Sequence, residues 1–586
     1  MYPDSWTKGI IVPIFKKGDT NDPSNYRGIT LVNVIGKIFS LTLRNRLNSW
    51  CENENVFHDA QFGFRDNCST VDAVFLLHSI IQKILSQNSK LWCVFIDYQR
   101  AFDTVIRDSL WLKLIQAGVS CKMLRMIRSM YETVKSCVKV SNDMNMSDFF
   151  DISLGLKQGE PLSPILFILF INDVVKHVDL DKMTETDLNL LSRYLIAFAD
   201  DIVLFTTNPT SLQSQIDEMY KYSVKWGMKI NVNKTKICVF EKRKQRHNVD
   251  FFIGDEKIEI VDSFIYLGIK LTHTGNMSSA VKTLTEQALK AYHNLLSLLD
   301  KVSMDFKTKL KLFETMVVPI LTYGAEVWGV YNYKEVDKLY VKFCKYILGV
   351  KQQTPNMAVF GELGRYPPSL ICKEKSIKFW TKIMSNRNSP LYSMYTDQIT
   401  SINGNCWASR INSIIDHLGF TNLLHSFEPN MKHFSKLQRR LRDQFLQDWN
   451  EKIHNMPKLE LYVKYKTTFG YEDYLDSIAN ETLRKQISCI RLSSHNLEIE
   501  AGRYMGIDRN QRSCKLCNLN VVESEYHFIM CCPKFSEIRE RYLGRLTWPS
   551  INKFVVVMSS THKKKMNNLA KFIKEAYKIR TNALHV

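Results

Sequence analysis

The stretch from Leu195 to Phe205, Leu-Ile-Ala-Phe-Ala-Asp-Asp-Ile-Val-Leu-Phe, restricts this chain more than any other. Two short apolar runs flank two adjacent carboxylates, Asp200 and Asp201. Runs of that length and β-branched content read as buried strands, which puts the acidic pair at the turn of a hairpin. Like charges that close cannot both stay ionised cheaply unless a cation sits against them. A solvated Asp-Asp turn is the plain alternative, and Phe198–Asp201 alone does not decide between the two.

A third carboxylate bears on the choice. Residues 91–96 are apolar throughout and end in Asp97, and a carboxylate closing a buried strand is expensive without a partner. If that strand lies beside the acidic hairpin, Asp97, Asp200 and Asp201 converge on one point. Oxygen-only ligands suit a hard cation such as Mg²⁺ or Mn²⁺. Two such ions held side by side serve in-line phosphoryl transfer.

The balance of 79 Lys and Arg against 59 Asp and Glu leaves a net charge of +20. That surplus points to a polyanionic partner, nucleic acid ahead of membrane. With 586 residues the chain exceeds one core, so several domains are expected. Fourteen scattered cysteines and no signal pattern favour a reducing intracellular compartment, nuclear or cytoplasmic. The longest apolar run, Ile165 to Ile171, is far too short to span a membrane.

In chain order, residues 9–15 read as a strand followed by a basic turn at Lys16-Lys17, then residues 25–31 and a helix to about Leu47. Ser69 and Asp72 have capping-box spacing and open a helix with Val74, Leu77, Ile80, Ile81 and Ile84 on its apolar side. Asp108 is placed to cap a helix ending near Gly118. The loop 155–164 leads into a helix with Ser163 at the N-cap and Pro164 at its first position. A helix over 211–227, a strand through Lys229–Lys236 and a strand pair over 251–271 follow. From about 280 the apolar spacing is helical, with Leu284, Ala288, Leu295, Leu299, Leu310, Phe313, Met316 and Val317 on the inner face. Near the end stand Cys514, Cys517, His527 and the pair Cys531-Cys532. Two thiolates on a knuckle, a His and a further Cys can close a tetrahedral shell around zinc. Four protein ligands leave no open position, so such a site is structural. The spacing leaves Cys531 and Cys532 both possible.

Taken together, these motifs resemble the reverse transcriptase of LINE-type (non-LTR) retrotransposons, in order and over almost the whole chain. Phe95-Ile96-Asp97-Tyr98 with Ala101-Phe102-Asp103 is similar to the family's first catalytic motif. Gln158 to Pro164 is similar to its second, and Phe198-Ala199-Asp200-Asp201 to its third. Asn231 to Lys236 and Tyr266-Leu267-Gly268 resemble the next two, and Tyr26 to Leu31 and Gln61 to Arg65 the fingers segments.

The resemblance implies an α+β right-hand polymerase with fingers, palm and thumb, followed by a helical connector and a small CCHC zinc knuckle. Its expected divisions are fingers and palm over 1–273, thumb over 274–350, connector over 351–505, knuckle over 506–545 and a basic helical tail over 546–586. The activity implied is RNA-directed DNA polymerisation from dNTPs on an RNA template, with primer or target DNA supplying the 3′-hydroxyl. Asp97 and Asp200 would ligate two Mg²⁺ (or Mn²⁺) with Asp201 in support. Phe102 would exclude a ribose 2′-hydroxyl, and Gln158 would touch the incoming nucleotide. Arg27, with Lys16 or Lys17, would meet its triphosphate, and Lys234 would protonate pyrophosphate. The family's knuckle has its last ligand directly before a proline, which selects Cys532 with Cys514, Cys517 and His527, and Arg503, Arg509 and Arg512 would help it grip nucleic acid. Family members carry residues ahead of the fingers and an endonuclease domain before those, so a truncated element copy is expected, with any nicking endonuclease supplied separately. The alternative is a catalytically silent, retroelement-derived nucleic-acid-binding protein.

Overall fold

The computed structural model describes residues 2–140, 145–178, 195–331, 334–402, 404–425, 431–545 and 548–584. The other positions of the expected fingers and palm, thumb, connector and tail lie outside the described residues. The chain forms two compact units, Met1–Ser279 with Asn386–Ser409, and Ala280–Ser385 with Arg410–Val586.

The first unit opens with α1 (Asp4–Thr7), β1 (Lys8–Phe15), β2 (Tyr26–Val32), α2 (Val34–Asn53) and α3 (Thr70–Ser86). It continues through β3 (Leu91–Ile96), α4 (Arg107–Gln116), α5 (Cys121–Tyr131), β4 (Lys135–Val138), β5 (Phe150–Asp151), α6 (Ser163–Ile171) and α7 (Val174–His177). The acidic hairpin is β6 (Leu195–Phe198) and β7 (Asp201–Thr206), followed by α8 (Pro209–Lys225) and β8 (Lys236–Phe240). β9 (Phe251–Ile253), β10 (Glu256–Val261), β11 (Ser263–Tyr266) and β12 (Ile269–Thr272) complete it. Its main sheet runs β6-β7-β3-β8-β10-β9, a second sheet runs β2-β1-β4-β5, and β11-β12 is a separate hairpin.

β3 lies between β7 and β8, antiparallel to both, and every one of its residues is buried. A central strand covered on both faces has to be apolar on both, which is why Leu91–Ile96 shows no alternation. Phe95 stacks on Phe264 of β11 with centroids 4.2 Å apart. Tyr98, just beyond the strand, shares a 2.9 Å hydroxyl hydrogen bond with Ser223 of α8. α6 is apolar all round and buries every residue except Pro164, as a helix enclosed by its own unit must.

The Ser69–Asp72 cap forms as its spacing predicts, the Asp72 carboxylate accepting the Ser69 backbone N–H at 2.7 Å. Val74, Leu77, Ile80, Ile81 and Ile84 are all buried. Three local expectations shift. The residue ahead of α4 is Ile106, in extended backbone, and Asp108 lies in the first turn, where the helix dipole also favours a carboxylate. Ser163 is already helical and buried, its hydroxyl donating to the Glu160 carboxylate at 3.2 Å instead of capping. Residues 229–235 do not form a strand. Gln99 N–H donates to the Lys229 carbonyl and Asn231 N–H to the Asp97 carbonyl, both at 2.8 Å, and the chain then turns on Asn231 before β8 begins.

The second unit is built from helices, with isolated bridges at Leu363–Tyr471 and Ser513–Val522. Leu284, Ala288, Leu295, Leu299, Leu310, Phe313 and Val317 face inward, whereas Met316 is 44% exposed. Arg491, fully enclosed, meets the carboxylates of Glu362 and Glu472, Nη2 donating to Glu472 at 2.6 Å. The described tail includes the helix Lys563–Leu584, whose Arg580 donates to both oxygens of Glu523 at 2.8 and 2.7 Å. No helix among the described residues is long and apolar enough to cross a membrane. All fourteen cysteines are free of disulfides.

Candidate active site and metal centre

The register of the main sheet assembles the acidic site. β3 pairs with β7 so that Ile96 faces Ile202, and the next position along sets Asp97 beside Asp201. The pairing of Phe198 with Asp201 closes a two-residue turn, Ala199-Asp200, with Ala199 at φ 55°. A positive φ at the first turn position matches the right-handed twist of the strands, though glycine is the usual occupant. Of the residues singled out for nucleotide chemistry, Lys16, Arg27, Asp97, Phe102, Gln158, Asp200, Asp201 and Lys234 line one cavity of about 750 Å³, and Lys17, the alternative to Lys16, does not. A second cavity of about 480 Å³ shares Asp97, Asp201 and Lys234 with Tyr266, Leu267 and Gly268.

The electrostatics at the acidic turn are those of carboxylates crowded together. Burial, followed by the charges of Asp200 and Asp97, pushes the Asp201 carboxyl up to about 6, against a downward pull from Lys234. Burial raises Asp200 too, with Asp97 adding to the rise while Arg27 and Lys16 oppose it. Lys234 Nζ lies 3.3 Å from Asp97 Oδ2. Asp97, Asp200 and Asp201, two of them made reluctant to ionise, form an oxygen-only donor set that fits a hard divalent cation.

Around the acids, each remaining residue has a structural footing. Phe102 lies face to face with Phe167 of α6, centroids 4.5 Å apart, and meets Phe64 edge-on at 6.1 Å. Gln158 donates from Nε2 to Asp103 Oδ1 at 2.8 Å, and its carbonyl accepts the Thr30 N–H at 2.7 Å. That contact ties the 155–164 loop to β2, the strand that carries Arg27. Gly159 permits it: its φ is +114° and a Cβ there would sit 2.6 Å from the Thr30 carbonyl. Lys16 and Arg27 are exposed, and neither forms an ion pair within 4.0 Å among the described residues. Asp103, the anchor of Gln158, carried no expected role. Nothing in the periodicity separates it from an ordinary turn aspartate.

The second candidate site is compact. One ligand atom from each of Cys514, Cys517, His527 and Cys532 lies within 4.8 Å of every other. Cys517 Sγ is 3.5 Å from His527 Nε2. A tetrahedral shell with bonds of about 2.0–2.3 Å has edges of that size. The knuckle closes through Cys514 N–H donating to the Val521 carbonyl at 2.9 Å. His527–Cys531 forms a π-type turn in which Cys532 N–H donates to the His527 carbonyl at 2.8 Å. Widening that turn by one residue brings Cys532, and not Cys531, beside His527. Arg539, buried, pins the turn by donating to the carbonyls of Ile529 and Cys532, both at 2.7 Å. The neighbouring arginines are engaged within the chain. Arg503 pairs with Glu500 and Arg509 with Glu460, and Arg512 donates to the carbonyls of Ile507 and Ile499.

The reverse transcriptase (RNA-dependent DNA polymerase) family matches residues 14–271. The probable RNA-directed DNA polymerase from transposon BS of Drosophila melanogaster is 27% identical over 350 residues, covering 58% of this chain and 38% of its own length. The RNA-directed DNA polymerase from mobile element jockey of the same organism is 27% identical over 363 residues, covering 58% and 37%. The Pol polyprotein from type-1 retrotransposable element R2 of Popillia japonica is 25% identical over 374 residues, covering 62% and 50%. The chain thus spans half or less of the length of these relatives. Among solved structures, apo telomerase from Candida tropicalis aligns with a TM-score of 0.34 at 14% identity, covering 68% of this chain and 69% of that one. Residues 14–271 thus match the reverse transcriptase family, and the relatives from transposon BS and mobile element jockey carry the name RNA-directed DNA polymerase.

Proposed function

We propose that this chain is an RNA-directed DNA polymerase that extends a primer 3′-hydroxyl with deoxynucleotides on an RNA template. The observation that carries the reading is the β3–β7 register, which brings Asp97 beside Asp201 and the Asp200 turn inside a cavity also lined by Lys16, Arg27 and Phe102. Asp97 and Asp200 hold two Mg²⁺ or Mn²⁺ ions and Asp201 supports them. When bound, these ions lower the pKa of the attacking hydroxyl and neutralise charge on the departing pyrophosphate. Arg27 and Lys16, which line the same cavity, receive the triphosphate. Gln158, fixed by Asp103, contacts the incoming nucleotide. Phe102, held against Phe167, occupies the space a 2′-hydroxyl would need. Lys234, already paired with Asp97, is placed to give a proton to pyrophosphate.

The Cys514-Cys517-His527-Cys532 quartet binds one structural zinc, and the domain around it contacts RNA or target DNA. The thumb, connector, knuckle and tail divisions are assigned on the same reading. Extension of oligo(dT) on poly(rA) with Mg²⁺ tests the polymerase. Asp200→Asn is expected to reduce the rate by about a thousandfold or more, the scale of losing a metal-held transition state. Equal extension by both proteins, or none by the unmutated chain, would overturn the proposal, and a dNTP-against-NTP comparison reads the Phe102 assignment.

A further inference from the structure

The segment Gln61–Arg65 lies against the acidic turn by an unusual route. Phe62 N–H donates to the Ala197 carbonyl at 2.8 Å and Ala197 N–H to the Ala60 carbonyl at 2.9 Å, so the segment runs as a short parallel edge along β6. Gln61, buried, then places its Oε1 where it accepts two backbone N–H groups, from Gly63 at 2.8 Å and from Ala199 at 2.9 Å. Ala199 is the positive-φ residue immediately before Asp200. Its amide has turned out of the sheet ladder and finds its acceptor in Gln61. An alanine held at positive φ is strained, and a neighbour must offset that strain.

Gly63 makes the approach possible. A Cβ there would lie 2.3 Å from the Ala199 nitrogen and 2.9 Å from the Phe198 carbonyl carbon, both backbone atoms unable to yield. Arg65 fixes the far end, donating from Nε and Nη2 to the two oxygens of Glu52 on α2 at 3.1 and 2.8 Å. Between these anchors Phe64 takes φ 57° and presents its ring edge-on to Phe102. One five-residue segment therefore touches both the turn that carries Asp200 and the ring beneath the expected sugar.

We infer that Gln61 is a positioning residue for the Asp200 turn and Phe64 a specificity-determining residue that braces Phe102 against Phe167. The inference rests on the polymerase reading above but adds residues that reading does not use. Without the Gln61 oxygen, the Ala199 amide is left buried and unpaired, and the turn relaxes toward negative φ. That swings the Asp200 carboxylate away from Asp97. Without the Phe64 ring, Phe102 gains freedom to tilt, and the wall under the sugar loses height.

The tests use the full chain. Gln61→Met keeps the side chain's length and removes the acceptor, whereas Gln61→Glu keeps an acceptor at the same place. Gln61→Met is expected to lower kcat on poly(rA)/oligo(dT) by about tenfold or more, with little change in the KM for dTTP, and Gln61→Glu to recover most of that loss. Mn²⁺ titration followed by electron paramagnetic resonance needs no turnover. Weaker Mn²⁺ binding by Gln61→Met, restored by Gln61→Glu, is expected there whether or not the parent extends a primer. Failure of the parent to polymerise overturns the proposed function, and unchanged Mn²⁺ affinity in Gln61→Met overturns the positioning role. Equal losses in the Met and Glu variants would also overturn it, since packing alone would then explain both. Phe64→Ala is expected to lower dTTP-over-UTP selectivity by about fivefold or more. Unchanged selectivity would remove Phe64 from the assignment.

Discussion

At the scale of single residues, burial decides which groups hold charge. His78 of α3 is fully enclosed, and its Nε2 lies 3.1 Å from the Gly275 carbonyl, which the neutral ring meets with its N–H. Burial lowers its pKa to about 4, with the carbonyl pulling weakly the other way. The unfolded chain, with an ordinary histidine pKa of about 6.5, binds the proton first on acidification. The stability that neutral His78 lends is therefore complete above about pH 6.5 and drains away as pH falls toward 4, a loss of about 3 kcal/mol. His78→Gln keeps a donor for Gly275, so its urea midpoint should stay flatter across that window than the parent's. Parallel profiles would show that another group controls the acid limb. Serine, histidine and glutamine inside an apolar helix or loop gave no periodic signal. Gln61 and His78 both find backbone partners far away in the chain, and only folding makes those partners visible.

At the scale of elements, the knuckle shows how a short segment with few apolar residues is held. Cys514 and Cys532 are buried with their sulfurs within 4.8 Å of each other, and each acts on the other's thiol, drawing Cys532 down and raising Cys514 to about 12. Neighbouring sulfur groups that compete for one proton favour a cation over two neutral thiols. Removing metal with a chelator is expected to lower the melting temperature of the second unit's transition and expose the Cys517 thiol to alkylation. Cys514→Ser and Cys532→Ser should do the same without chelator, while Cys531→Ser should leave both readouts near the parent's. The choice of Cys532 was legible in the sequence only through the following proline. Its physical reason, the π-type turn that adds one residue between His527 and its partner, belongs to the backbone.

On the scale of the whole molecule, chain order and compact units part company. The helix Pro390–Ser401, from the middle of the expected connector, belongs to the first unit. Within that unit Asp397 pairs with Lys83 of α3 at 3.0 Å, both side chains less than a tenth exposed. Trp407 meets Phe75 edge-on with centroids 4.9 Å apart, and Gln398 Oε1 accepts the Ala408 N–H at 3.0 Å. A buried pair of this kind adds little over an apolar contact, but losing one partner strands a charge, at a cost of about 3–5 kcal/mol. Lys83→Met and Asp397→Leu should each destabilise the first unit by that order, and the double variant should recover most of the loss. Additive losses in urea melts would show that the two side chains do not depend on each other.

What the sequence determined by itself was local and chemical. Apolar runs on either side of a pair of aspartates read as a buried hairpin, and a carboxylate closing an all-apolar strand is expensive without a partner. The order of motifs then carried the family, because each motif's residue types are dictated by what they touch. Tertiary structure decided the rest. The β3–β7 register alone sets Asp97 beside Asp201, and the Gln61 segment reaches the turn across more than a hundred intervening residues. The 390–401 helix joins a unit from which chain order had separated it. Sequence patterns report which face of an element is apolar, whereas partners distant in the chain are chosen by packing, which no single element encodes.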